Sequence, residues 1–317
     1  MNDSLSRRGF LISSAAGAGL MAAGRVQAAP FKTKLHKAVI MRKVTEEGLK
    51  KLKDAGFEGV EGGTVPVDEA KRAREIAQKL GMRIHSVIGG GAAGLRACQA
   101  YGGEALLHVP GGVGAKPIPE PWEFDIEFGD KTGHILRVVS GDNEKFKGYI
   151  EAHNRAMDSA RESVKKLIPV AEETQVVIAL ENVWNNFCVR PELMKWLVTS
   201  FQSPWVKAYF DIGNHVKYSV VVRDGKPQTV CPPELWIRNY GPLVAKLHMK
   251  DYKLAADGKS GSFCPIGQGS VNWPAVRQAL EDIGYNGWLT DESGGAWPEL
   301  SKRFDSIIAG KDPGGKP

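Results

Sequence analysis

The chain has 317 residues, 42% of them hydrophobic and 25% charged, with a formal net charge of +6. That length and composition suit one large α/β domain or two smaller ones. The charge is mild and shows no dense Lys/Arg run, which argues against a nucleic-acid footprint. Cys98, Cys188, Cys231 and Cys264 lie far apart with no Cys-x-x-Cys pair, which argues against a thiolate zinc site.

Residues 1–28 stand apart. Ser6-Arg7-Arg8-Gly9-Phe10-Leu11 is followed by an Ala/Gly-rich apolar stretch and then by Val26-Gln27-Ala28. That is a charged region, an apolar region and a small-residue cleavage site in order. Paired arginines before Phe-Leu resemble a twin-arginine export signal. The expectation is an exported, periplasmic protein whose mature chain starts near Ala29. The stretch is too short and too Gly-rich for a membrane span, so none is expected after signal removal. The predicted division is a signal at 1–28, a barrel domain at 30–310 and a disordered tail at 311–317.

After the leader, short apolar runs alternate with amphipathic helical stretches. Lys37–Ile40 reads as the first strand, and Thr45–Ala55 as a helix closed by Gly56. Gly59-Val60-Glu61 follows, then a helix over Asp68–Leu80, then a strand over Arg83–Ile88. Ala105–Val109 is the fourth strand. A helix closed by glycine and followed by a strand is the grammar of βα units. Residues 110–147 are rich in Gly, Pro and charge and read as a lid or as decoration. A long helix spans about 148–174. Four more strands read at Val176–Leu180, Val206–Phe210, Val244–Leu247 and Trp288–Thr290. Helices at 191–199, 233–240 and 273–283 separate them, the last capped by Asn272 with Pro274 in its first turn. Residues 216–232 read as an inserted hairpin around Asp224-Gly225. Eight alternating βα units without a G-x-G-x-x-G turn predict an α/β fold of the (β/α)8 TIM-barrel type. A doubly wound sheet is the structural alternative.

Four consecutive strands end alike, on Glu181, Asp211, His248 and Glu292. In such a barrel the C-terminal strand tips surround the active site. Three clustered carboxylates repel one another, and a cation relieves that. Three oxygens and one imidazole suit one divalent ion, with Mn²⁺ first and Mg²⁺, Co²⁺ or Zn²⁺ as the others.

The stretches around these residues are Glu181-Asn182-Val183-Trp184, Tyr209-Phe210-Asp211-Ile212-Gly213-Asn214, His248-Met249-Lys250-Asp251, Gly269-Ser270-Val271-Asn272-Trp273-Pro274 and Gly284-Tyr285-Asn286-Gly287-Trp288. They resemble the sugar phosphate isomerase/epimerase family, the xylose isomerase-like barrels, over roughly residues 35–308. The resemblance implies that Glu181, Asp211, His248 and Glu292 bind one metal and that Glu181 and Glu292 serve as acid and base. A metal that chelates a carbonyl and an adjacent hydroxyl acidifies the C–H between them. Proton removal then runs via an enediolate, and its return decides between epimer and isomer. Loss of a β-substituent instead makes the enzyme a lyase.

Substrate contacts are expected from Trp184 by stacking, from Asn214 and His215 by hydrogen bonding, and from His85. Lys250 and Asp251 follow His248 as supporting or solvated groups. The ketose 3-epimerases of this family carry a histidine three residues past the matching Asp, where this chain has Asn214. They also carry an acid and an arginine where it has Phe187 and Leu254. Both departures point away from a free ketose. The expected function is an exported, metal-dependent sugar isomerase or epimerase. The alternatives are a lyase or hydratase on a 3-keto-glycoside or keto-inositol at the same site, and a non-catalytic sugar-binding barrel. The expected partner is a small sugar or keto-sugar, not nucleic acid, and homo-oligomerisation is left open.

Overall fold

In the computed structural model, which describes residues 30–314, the unit beginning at Lys32 closes into a barrel of eight parallel strands. The strands are β1 (Leu35–Ile40), β2 (Gly59–Gly63), β3 (Arg83–Ile88), β4 (Ala105–His108), β5 (Val177–Glu181), β6 (Val206–Asp211), β7 (Val244–Met249) and β8 (Gly287–Asp291). Each pairs with its neighbours in sequence, and β8 closes the ring on β1. A doubly wound sheet would leave two open edges, and here β1 is paired on both sides. The export signal expected at 1–28 lies outside the described residues, as do residues 315–317. Residues 311–314 form a turn in which the Lys311 N–H donates to the Ser306 carbonyl. No helix among the described residues is long and apolar enough to cross a membrane.

Local chemistry sets the helix ends. Thr45 accepts from the Gly48 N–H and Asn272 from the Ala275 N–H, each satisfying a first-turn donor. Asp224-Gly225 has positive φ at both positions and joins the strands Val220–Arg223 and Lys226–Thr229, as a two-residue hairpin turn requires. Apolar side chains form a shell between strands and helices, while a small cluster of Ala105, Leu107, Ala179 and Tyr209 forms a separate group with Ile88, Val177 and Ala245. Beside Tyr209 the barrel turns polar: Glu61, His85, Ser86, Asp211, His248 and Thr290 are all buried.

Two strand pairs of the barrel slip by one residue. β7 shifts against β6 between Val244 and Lys246, after which His248 stands beside Asp211. β3 shifts against β2 around His85, after which Ser86 stands beside Glu61. An extra residue in a ladder re-aims the side chains beyond it.

Residues 110–146 are fastened down rather than free. Val113 N–H donates to the Asn185 carbonyl at 2.8 Å, and Asn185 Nδ2 donates to the Gly111 carbonyl. The Arg190 guanidinium donates to the carbonyls of Phe124 and Tyr218, and the Trp196 indole to that of Asp130. Of the two readings of this segment, these contacts favour decoration packed on the loops after β5 and β6.

A second hairpin, Asp251–Leu254 against Gly261–Cys264, follows β7. Asp251 anchors its base. Its buried carboxylate accepts from the N–H groups of Tyr252, Gly267, Gly269 and Val271 and from the Trp273 indole. Gly269 must lack a side chain, because a Cβ there would lie 2.0 Å from Asp251 Oδ1. Asp251→Ala strands all five donors at once. It is expected to lower the unfolding free energy by about 3 kcal/mol, read from urea denaturation. A change below about 1 kcal/mol would refute the anchoring role.

Candidate metal centre

Glu181 is the last residue of β5, Asp211 the last of β6, His248 the penultimate residue of β7, and Glu292 the first residue after β8. One donor atom from each lies within 4.8 Å of the others. His248 Nδ1 is 2.9 Å from Glu181 Oε1 and 3.2 Å from Glu292 Oε2. The Lys250 ammonium sits among them, 3.1 Å from Glu292 and 3.5 Å from Asp211 Oδ2.

Local folding aims these groups. Asn182 acts as a side-chain rung between strands: its Oδ1 accepts from the Asp211 N–H and its Nδ2 donates to the Asp211 carbonyl. That pair ties the tip of β5 to the tip of β6. Asp211 also caps the short helix Ile212–Val216, with Oδ1 accepting from the Asn214 N–H at 2.7 Å. Its Oδ2 is buried and has no hydrogen-bond partner. Gly213 lets β7 pass, since a Cβ there would meet the Lys250 backbone at 2.8 Å. Asp291 accepts from Ser293 and Gly294, which fixes the turn that carries Glu292.

The donor set fits a divalent ion. Two ligands at roughly 2.1 Å from one ion span at most about 4.2 Å, close to the 4.8 Å spread seen here. A buried carboxylate oxygen that accepts no hydrogen bond is unusual, and Asp211 Oδ2 is one, faced by the Lys250 ammonium at 3.5 Å. Three carboxylates and an imidazole without thiolate are the ligands of Mg²⁺, Mn²⁺, Co²⁺ or catalytic Zn²⁺.

Electrostatics separates the acids. Burial pushes Asp211 up to about 8, with Glu181 and Glu292 adding to the rise against the pull of Lys250. Burial also raises Glu181, despite its hydrogen bond to His248. Burial works against the charge on Glu292, yet His248 and Lys250 hold it well below the usual carboxylate range. Burial likewise opposes the charge on His248, and Glu61, Glu181 and Glu292 together overcome it, leaving its pKa well above the usual value.

These shifts fix a pH dependence. Asp211 moves from 3.8 up to about 8 on folding, so its own contribution to the metal-free fold is complete below 3.8 and is lost as pH rises towards 8. His248, also raised, acts with the same sign above 6.5. Glu292, lowered, acts only below its ordinary 4.5. A bound cation cancels the repulsion that deprotonation exposes. Added Mn²⁺ is therefore expected to raise the melting temperature more at pH 8.5 than at pH 5.5, by differential scanning calorimetry against an EDTA control. Equal gains at both values would contradict this account.

The expected substrate contacts divide. Trp184 lies on the rim, 36% exposed. Its indole N–H donates to the Asn214 carbonyl, its ring stacks on Phe263 at 4.6 Å, and the Lys217 ammonium lies 4.4 Å over it. Asn214 is buried and holds the site together, its Nδ2 donating to the Asn182 carbonyl. The structure does not bring His215 to the cluster. That ring is buried between Phe210 and Trp236, and neither nitrogen has a hydrogen-bond partner. Nor does it bring His85 there. His85 is the third residue of β3, fully buried and stacked on Trp288 at 4.6 Å. Glu61 was missed. It is fully buried, and its Oε2 accepts from His248 Nε2 at 2.8 Å. It is the third of the five residues of β2, inside the strand rather than at its tip, so the strand-end pattern that marks Glu181 does not mark it.

A model of the family described as xylose isomerase-like TIM barrel matches residues 49–305. Among solved structures, a D-tagatose 3-epimerase-like protein aligns with a TM-score of 0.60 at 15% identity, covering 86% of this chain and 96% of its own. A 3-keto-D-glucoside 4-epimerase from E. coli aligns with a TM-score of 0.57 at 14% identity, covering 82% and 92%. A mannonate dehydratase from Streptococcus suis aligns with a TM-score of 0.60 at 12% identity, covering 87% and 93%. At these identities the likeness is one of fold.

Proposed function

Because the chain belongs to the xylose isomerase-like TIM-barrel family, we propose that it is a divalent-metal-dependent isomerase or epimerase of sugars. The observation that carries this is the convergence of Glu181, Asp211, His248 and Glu292 within 4.8 Å at four adjacent strand tips. Glu181, Asp211, His248 and Glu292 would hold the divalent ion, with Mn²⁺ our choice, and the chemistry it would supply when bound is polarisation of a substrate carbonyl, which acidifies the neighbouring C–H.

The protein's own groups do the rest. His248 and Lys250 favour the charged form of Glu292 and its side chain is 34% exposed, so it can face a substrate and take the proton. Glu181 is nearly enclosed and raised by burial, which suits an acid that returns one. Paired groups whose surroundings push their pKa values apart mark an acid and a base. Lys250 keeps Glu292 charged and offers an ammonium to an oxygen that gains charge. Trp184 and Phe263 supply an aromatic wall at the mouth. We also propose export by the twin-arginine route, supported by Ser6-Arg7-Arg8-Gly9-Phe10-Leu11 and testable by fractionating cells that express the full chain.

A second reading, a lyase on a 3-keto-glycoside or keto-inositol, gains from Phe187. It is buried against His153 at 4.9 Å and offers no polar atom where the free-ketose enzymes carry an acid. The test is NMR in D₂O with Mn²⁺, free ketoses and 3-keto-glycosides, against EDTA. Metal-dependent deuterium uptake beside a carbonyl supports both readings. A product that keeps every substituent means isomerase, and loss of a group means lyase. Metal binding with no exchange across the panel favours a sugar-binding barrel.

A further inference from the structure

We infer that Glu61 is the positioning residue of the metal ligand His248, and that a hydrogen-bonded chain through Ser86 and His85 to Thr290 holds Glu61 in place. This rests on the metal-centre reading above.

The geometry is continuous. Glu61 is 0% exposed, and each of its oxygens has a partner: His248 Nε2 at 2.8 Å and Ser86 Oγ at 2.7 Å. Ser86 Oγ also meets His85 Nδ1 at 2.9 Å, and His85 Nε2 meets Thr290 Oγ1 at 3.2 Å. Donor counting gives the chain one direction. A carboxylate only accepts, so the Ser86 hydroxyl donates to Glu61. The lone pair of Ser86 then accepts from His85 Nδ1–H, and His85 Nε2 accepts from the Thr290 hydroxyl. Burial favours the neutral imidazole that this pattern needs. The stack of His85 on Trp288, with an interplanar angle of 7°, fixes the ring plane.

At the other end, His248 has two faces. Nδ1 turns to Glu181 and Glu292, and Nε2 turns to Glu61. An imidazole that ligates through one nitrogen is oriented by the acceptor on the other. The one-residue slip in β3 makes this possible, because it places Ser86 across from Glu61. A carboxylate buried in a barrel core is costly unless paired. This one gives Oε2 to His248 and Oε1 to the Ser86 hydroxyl.

The same acid could merely balance buried positive charge. Two variants separate the roles. Glu61→Gln removes the charge and keeps the shape. Ser86→Ala keeps the charge and frees one oxygen of Glu61. Mn²⁺ binding by calorimetry is expected to weaken by roughly 10–100-fold in Glu61→Gln, and by a smaller factor in Ser86→Ala. In the Co²⁺ protein, the His248 Nε2–H should give a hyperfine-shifted exchangeable proton in H₂O, lost or broadened in Glu61→Gln. Native Mn²⁺ affinity in both variants overturns the inference and leaves the metal centre standing. Unchanged affinity in Ser86→Ala with a loss in Glu61→Gln overturns the chain and reduces Glu61 to a counter-charge. A native protein that binds neither ion overturns the metal centre and this inference together. Should Glu61→Gln not fold, Ser86→Ala decides.

Discussion

A Glu292→Gln protein is expected to lose metal-dependent deuterium incorporation by a factor of about 10³. The substitution keeps shape and volume and removes the charge that accepts the proton. Glu292 is the most accessible of the four donors, with 34% of its side chain exposed against 0% for Asp211 and 2% for His248. It is also held ionised by His248 and Lys250, against the cost of its partial burial. A weakened ligand set could mimic this result, so the assay belongs at saturating Mn²⁺ with occupancy measured in parallel. Exchange within tenfold of native at full occupancy would remove Glu292 from the role of base. Glu181→Gln should also lose turnover, but there the loss should track product formation more than wash-in of solvent label, because Glu181 is assigned to proton return.

The second large effect is on stability. His248→Ala removes the hub of three ion pairs, to Glu61, Glu181 and Glu292. Glu61 and Glu181 lose the imidazole that each pairs with. Deleting one partner of a buried pair costs about 3–5 kcal/mol, and that loss is expected in urea unfolding of chelated protein. Mn²⁺ should stabilise native protein and recover little of this deficit, since the nitrogen ligand is gone. An unfolding midpoint equal to that of native protein would show that the three acids are satisfied some other way.

The ligands were legible because each of four apolar strands runs into one polar residue, and strand ends in a barrel share a face. Glu61 breaks that rule, since it stands in the middle of β2 with Gly62 and Gly63 after it in the strand, so no strand end marks it. His215 was misplaced by its nearness to Asp211 in sequence. His215 lies on the short helix Ile212–Val216 that Asp211 caps, and its ring stacks on Trp236 at 3.3 Å instead of turning to the cluster. Asn214, expected on the substrate, is used up between the Trp184 indole and the Asn182 carbonyl. The register slips in β3 and β7 carry no sequence mark. Asp224-Gly225 announced one hairpin, and Asp257-Gly258 sits in the turn of the other, with Gly258 at φ +70°.

The Asp251 anchor divides labour along the chain. Before it, β7 delivers His248 and the residue after β7 is Lys250; beyond it, the hairpin delivers Phe263 to the rim. Five donors converge on one carboxylate at the junction, so the base of the hairpin is fixed whatever its outer turn contains. The segment between Leu254 and Gly261 is thus a natural graft point. Its length and side chains can be exchanged to recruit new substrates, while the groups that carry the chemistry keep their positions.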